Sequence, residues 1–200
     1  MPKTIFYTAS TLNGFLADPE DSLAWLFEVP QEEVTGDIEA FTAGIGVLVE
    51  GSATYEWTVR ENGLLAEPDR WTEYYGDRPT YVFTSRQLPL VPDADVRFVS
   101  GSVADHYAEI AEAAGDRDIW LVGGGDLVGQ FADAGLLDEV IVTFAPATLA
   151  AGKPLLPRAL GADRLTLTGV RQIGPYAELS YRVSPAGSVD STAVTDSTDG

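Results

Sequence analysis

The chain has 200 residues, 45% hydrophobic and 22% charged, an ordinary globular composition for one domain that excludes a wholly disordered, collagen-like or coiled-coil chain. Twelve Lys and Arg stand against 31 Asp and Glu, a net charge of −19, so a phosphate backbone or an anionic membrane surface is a poor partner. With no Cys and a single His106, disulfides, thiolate nucleophiles and every site that needs two imidazoles are excluded, and no metal site is expected.

The N-terminal MPKTIFYTAS turns polar too soon for a signal peptide, and no apolar run approaches ~20 residues, so a cytoplasmic protein is expected. Residues 3–9 are β-branched and aromatic and predict a strand. Residues 10–22, marked by Asn13-Gly14 and Asp18-Pro19, predict a loop, and 22–27 a short helical turn. Val34, Ile38 and Phe41 share one face of a helix predicted over 31–43. The continuously apolar run 45–49 suits a strand buried on both faces. Gly51 ends it, and 52–60 predicts a helix capped by a small polar residue. Residues 68–79, bounded by prolines, read as a linker. Strands follow at 80–84, 96–99, 119–122 and 139–144, with helices at 102–115 and 126–134; His106 falls on the exposed side of the first. Residues 165–173 and 176–183 predict a hairpin turned by Gly174-Pro175. Residues 1–183 then form one domain, and the Ser/Thr/Asp-rich 184–200 an unstructured tail.

Strands alternating with helices predict an α/β fold of three layers. A mostly parallel central sheet is covered on both faces, and the closing hairpin adds antiparallel strands at one end. Three strand-to-helix turns carry ligand chemistry: 51–54 with Gly51, Ser52 and Thr54; 84–86 with Thr84, Ser85 and Arg86; and 123–127 with Gly123, Gly124, Gly125, Asp126 and Leu127. Glycine lets backbone approach a ligand, and a helix start turns free N–H groups toward an anion. The carboxyl ends of parallel strands share one rim, so an extended dinucleotide can bridge all three turns. Arg86 is the one basic residue in them and the candidate for a terminal phosphate. The triple glycine is not a Rossmann fingerprint, because Val128 stands where the third glycine belongs, and no Walker lysine follows.

TASTLNGFLA, EGSATYE, VFTSR, LVGGGDLVGQFADAGLLDEV and APATLAAGKPLLP occur here in an order that resembles the dihydrofolate reductase superfamily. Within it the chain is similar to the C-terminal reductase domain of bacterial riboflavin biosynthesis, over about residues 3–183. The resemblance implies a dihydrofolate reductase-like fold, a homodimer through the C-terminal strands, and NADPH, with NADH as the alternative, across the rim. Residues 123–127 would hold the pyrophosphate, Ser85 and Arg86 would meet the adenosine 2′-phosphate, and 51–54 would lie beside the cofactor. The family usually has Gly-Arg-x-Thr where this chain has Gly51-Ser52-Ala53-Thr54, and often Asp-Gly where it has Asn13-Gly14. Substrate would face the nicotinamide end, against Asn13, Gly14 as a lid hinge, Trp25 as a flat wall and Lys153 as an anion contact. Asp37, four residues before Phe41, matches the acidic residue of folate reductases and is the candidate proton donor. The implied activity is hydride transfer to a heteroaromatic or ribosyl-pyrimidine small molecule, similar to 5-amino-6-(5-phosphoribosylamino)uracil reductase. The alternatives are a dihydrofolate-type reductase and a non-catalytic nucleotide sensor.

Overall fold

The structure is a computed structural model that describes residues 1–30 and 35–185, without side-chain detail at 35–37. The chain runs β1 (Thr4–Thr11), β2 (Phe15–Ala17), α1 (Ala24–Phe27), α2 (Thr35–Ala43), β3 (Ile45–Gly51), α3 (Ser52–Glu61), α4 (Arg70–Tyr75) and β4 (Thr80–Phe83). It continues with β5 (Val96–Val99), α5 (Val103–Ala114), β6 (Asp118–Gly123), α6 (Gly125–Asp133), β7 (Glu139–Ala145), β8 (Lys153–Pro154), β9 (Leu165–Ile173) and β10 (Tyr176–Val183). Eight strands form one sheet in the order β5-β4-β3-β6-β1-β7-β10-β9. All neighbours from β5 to β7 are parallel, and β10 and β9 close the sheet as an antiparallel hairpin. This is the predicted architecture.

Burial follows from strand alternation. Phe6, Val47, Val49, Ile119 and Leu121 face α5 and α6, whose Ile110, Val128 and Phe131 fill the same core. Leu48 and Val82 face the other way, onto Tyr55 and Val59 of α3 and Trp71 and Tyr75 of α4. Central β3 is therefore buried on both faces, as its unbroken apolar run requires.

Four local expectations need correction. The predicted loop 10–22 contains β2, which pairs antiparallel with β8, because Phe15 and Ala17 find edge partners at Pro154 and Lys153. The predicted linker 68–79 contains α4, whose Trp71 and Tyr75, four residues apart, are both buried. Helix α3 begins at Gly51 with no side-chain cap, whereas α5 has a true cap, the Ser102 hydroxyl accepting from the Ala104 N–H at 3.1 Å. His106 is half-buried and edge-on to Phe83, 5.7 Å between ring centroids. Of the helix predicted over 31–43, residues 31–34 lie outside the described residues, and α2 covers the rest. Of the predicted tail, 186–200 lie outside them too.

Candidate functional site

The parallel register sets the three ligand-bearing turns side by side. Gly51 stands opposite Phe83 on one side, and Glu50 opposite Gly123 on the other. The turns that follow β4, β3 and β6 therefore line one edge of the sheet, as the rim argument requires. Gly51 comes close to the triple glycine: a Cβ placed on it would sit 3.7 Å from the Gly124 nitrogen. Gly123 has φ +151°, and a Cβ there would come within 3.3 Å of the Thr54 hydroxyl oxygen, so a side chain would be both strained and crowded. The Gly123–Gly124 peptide is cis. Gly124 is the N-cap of α6 and brings no capping side chain to it, while a Cβ on Gly124 would meet open space. The backbone at the start of α6 thus faces a free volume, with the positive end of the helix behind it.

A cleft of about 400 Å³ opens there, lined by Thr54, Trp57, Gly123, Gly124, Gly125 and Asp126 from the sheet edge and by Trp25, Asp21, Lys153 and Pro157 across from it. A second lobe of about 380 Å³ continues from it, sharing Thr8, Ala9, Leu26, Thr54, Trp57 and Val122. That lobe lies on the α2/α3 side of the sheet, between Tyr7, Trp120, Thr143 and Tyr176 on the strands and Phe27, Ile38 and Tyr75 on the helices.

Gly123, Gly124, Gly125, Asp126 and Thr54 come together in the first lobe, with Gly51 directly behind them. Leu127 is buried in the core beneath. Ser52 begins α3 beside them without lining the cleft. Thr84, Ser85 and Arg86 stand at the outer end of the same edge. The Thr84 hydroxyl accepts from the Arg86 N–H at 3.0 Å, and the Arg86 guanidinium is bound to both carboxylate oxygens of Glu56. Trp25 is a wall residue, 7% exposed, and its indole N–H has no partner among the described residues.

Lys153 lies at the mouth, 3.4 Å from the Asp21 carboxylate. Asn13 is used differently from the expectation: its amide donates to the Leu149 carbonyl at 2.7 Å, and its oxygen accepts from the Leu149 N–H at 3.2 Å and the Thr11 hydroxyl at 2.9 Å. With the Gly14 carbonyl accepting from the Leu155 N–H at 2.9 Å, both residues stitch two loops together and neither lines the cleft. Asp37 lies in the first turns of α2, its side chain outside what is described; its neighbour Ile38 lines the second lobe.

Sequence reasoning missed two features. Asp126 is neutralised by Arg158, which donates to it at 3.0 Å and to Asp133 at 2.7 Å; hydrogen bonds from Gln130 and then Arg158 hold the Asp126 carboxyl below its usual range. Glu50 is fully buried at the carboxyl end of β3, with no partner for either oxygen among the described residues. Burial alone pushes it up to about 8, so at neutral pH it is mostly protonated. It shares the face of Leu48, close enough to Tyr55 and Tyr75 for its charge to raise both phenols further. An acidic residue at the end of an apolar strand was the available signal.

A family model described as the RibD C-terminal domain matches residues 2–178. The Bacillus subtilis (strain 168) protein named "Uncharacterized protein YwjB" is 29% identical over 179 residues, which is 90% of this chain and 97% of the relative. Among solved structures, a Shewanella sp. PV-4 protein named for riboflavin biosynthesis is similar with a TM-score of 0.74 at 21% identity, over 91% of this chain and 99% of that one. The Thermotoga maritima diaminohydroxyphosphoribosylaminopyrimidine deaminase/5-amino-6-(5-phosphoribosylamino)uracil reductase is similar with a TM-score of 0.64 at 16% identity, over 91% of this chain and 56% of that one.

Proposed function

Because the chain belongs to the RibD C-terminal domain family, we propose that it is an NAD(P)H-dependent reductase that reduces a heteroaromatic or ribosyl-pyrimidine small molecule. The observation that carries this reading is the meeting of Gly51, Thr54 and the start of α6 at one sheet edge, opening into a two-lobed cleft. The residues present fit a dinucleotide. Gly124 leaves open space where any side chain would intrude, and the α6 N-terminus offers N–H groups and a positive dipole to a pyrophosphate. Arg158 removes the repulsion that a bare Asp126 would add. Arg86 stands farther along the edge as the contact for a 2′-phosphate, in competition with Glu56.

The reduced nicotinamide, when bound, supplies the hydride. The chain's own contribution is positional: Thr54, Trp57 and Val122 line both lobes and fix the plane at which cofactor and substrate meet. Trp25, Leu23 and Leu26 cover that junction and exclude water. Titrating NADPH against the tryptophan fluorescence tests the reading, and loss of NADPH absorbance with a panel of pterins, uracils and quinones separates an enzyme from a sensor. Absence of saturable NADPH binding would defeat it.

A second reading, a pterin-type reductase with Asp37 as proton donor, is supported by Ile38, the residue after Asp37 in α2, which lines the second lobe. Asp37→Asn should then abolish turnover and leave NADPH binding intact; retained turnover removes Asp37 from the mechanism.

A further inference from the structure

The second lobe is lined almost entirely by apolar and aromatic side chains. Its walls are rings: Tyr7, Trp57, Trp120, Tyr75, Tyr176 and Phe27. Tyr7 and Trp120 are held by Phe41 of α2, which meets them edge-on at 4.6 and 5.5 Å. Phe27 is 63% exposed although it belongs to a helix of only four residues, and its ring lies parallel to that of Trp57, 9° between planes and 6.2 Å between centroids. These two rings stand at the cleft between α1 and α3 and offer flat apolar surface to whatever enters.

Two polar groups of the cleft wall lack partners among the described residues. Tyr176 is 2% exposed and its hydroxyl makes no hydrogen bond there; burial pushes the phenol pKa up, so the O–H stays protonated. The Trp25 indole N–H, in the same small cluster but lining the first lobe, is likewise unpaired among the described residues. Buried polar groups are normally satisfied, so the Tyr176 hydroxyl in the wall of the second lobe points to a ligand with a polar edge.

Charge then narrows the ligand. Among the described residues no Lys, Arg or His lines this lobe, and the sequences of 31–37 and 186–200 contain none. The cation at the neighbouring lobe, Lys153, is already paired with Asp21. Behind the sheet side of the lobe, Thr143 donates to the buried Glu178 carboxylate at 3.3 Å, and that carboxylate already engages the Arg171 guanidinium at 2.7 Å. A phosphoryl group entering here would lose its water and meet no counter-charge.

We propose that the second lobe takes a flat heteroaromatic ring that carries no phosphoryl group and no negative charge, stacked against Trp57 and Phe27 with its polar edge at Tyr176. The proposal rests on the reading of the first lobe as the cofactor side, and it sets this chain apart from a reductase of phosphoribosyl compounds.

The test uses the full chain and a matched pair, riboflavin and riboflavin 5′-phosphate, with lumazine and 6-methylpterin as smaller uncharged rings. Binding is read by calorimetry with NADPH absent and then saturating. We expect at least one uncharged ring to bind with Kd below ~1 mM, and riboflavin to bind about tenfold or more tighter than its 5′-phosphate. Tyr176→Phe and Phe27→Ala should each weaken the ring by roughly five- to tenfold, with NADPH affinity changed less than about twofold. Equal or tighter binding of the 5′-phosphate overturns the proposal, as do the failure of every uncharged ring or displacement of the ring by NADPH. Failure of NADPH alone to bind, with the ring series unchanged, defeats the cofactor reading and leaves the lobe's preference standing.

Discussion

The guanidinium of Arg86 sits across both carboxylate oxygens of Glu56, with Nη1 3.0 Å from Oε1, at the outer end of the edge that also carries Gly51 and the triple glycine. Glu56 raises the basicity of Arg86 through that hydrogen bond and its charge, and it occupies the face an incoming phosphate would need. Arg86→Ala should therefore lower NADPH affinity toward that of NADH, whereas Glu56→Gln should raise the NADPH:NADH affinity ratio by roughly fivefold. Paired titrations of both nucleotides against each variant decide it. An unchanged ratio in Arg86→Ala would remove Arg86 from cofactor discrimination.

Neighbouring glycines separate cofactor binding from folding. A Cβ on Gly124 meets nothing within 4 Å, so Gly124→Asp should fold normally and lose NADPH, because its carboxylate would stand where the proposed reading seats the pyrophosphate. A Cβ on Gly125 would come within 2.5 Å of the Pro154 and Leu155 carbonyl oxygens, so Gly125→Ala should cost about 1–3 kcal/mol of stability. Thermal melts and NADPH titrations of the two variants should show these effects crossed over. Retention of NADPH by Gly124→Asp would show that the anion lies elsewhere.

Glu50 gives stability a pH dependence of unusual sign. Its ordinary value is 4.5, and in the folded chain it is pushed up to about 8 by burial. Between those values the folded state holds a proton that the unfolded state has released, so stability falls as pH rises and levels off above about 8. Glu50→Gln should match the parent near pH 5 and exceed it by about 3 kcal/mol or more near pH 9. Denaturant unfolding of both proteins across that range measures the difference. A constant offset would mean that Glu50 is ionised in the fold.

Arg158 binds Asp126 and Asp133 with the same guanidinium and packs over Gly129 of α6. Arg158→Ala leaves the Asp126 carboxylate unneutralised beside the N-terminus of α6, where the proposed reading seats the pyrophosphate. NADPH affinity should fall by about three- to tenfold, with the loss shrinking at high salt. Arg158→Lys should restore part of it. A salt-independent loss would point to packing over Gly129 instead.

The parallel sheet and its closing hairpin were legible because each strand announces itself by β-branched residues and each turn by glycine or proline. The gathering of the three turns at one sheet edge was legible for the same reason: strand ends and helix starts sit next to each other in sequence. Helix α4 was hidden by the prolines that flank it, although Trp71 and Tyr75 carried the right spacing. The aromatic lobe was not legible. It gathers Tyr7, Phe27, Trp57, Trp120 and Tyr176 from five separate elements, and no local pattern tells a ring that lines a cleft from one that fills a core. The use of Asn13 was hidden too, since its partner Leu149 is 136 positions away.

Asn13 grips Leu149, Gly14 accepts from Leu155, and β2 pairs with β8, so the loop after β1 and the strap after β7 are sewn into a single flap. The two walls of the cleft mouth are thus tied to each other rather than only to the sheet, and a substitution that breaks either stitch is expected to register as the same change in ligand release rate.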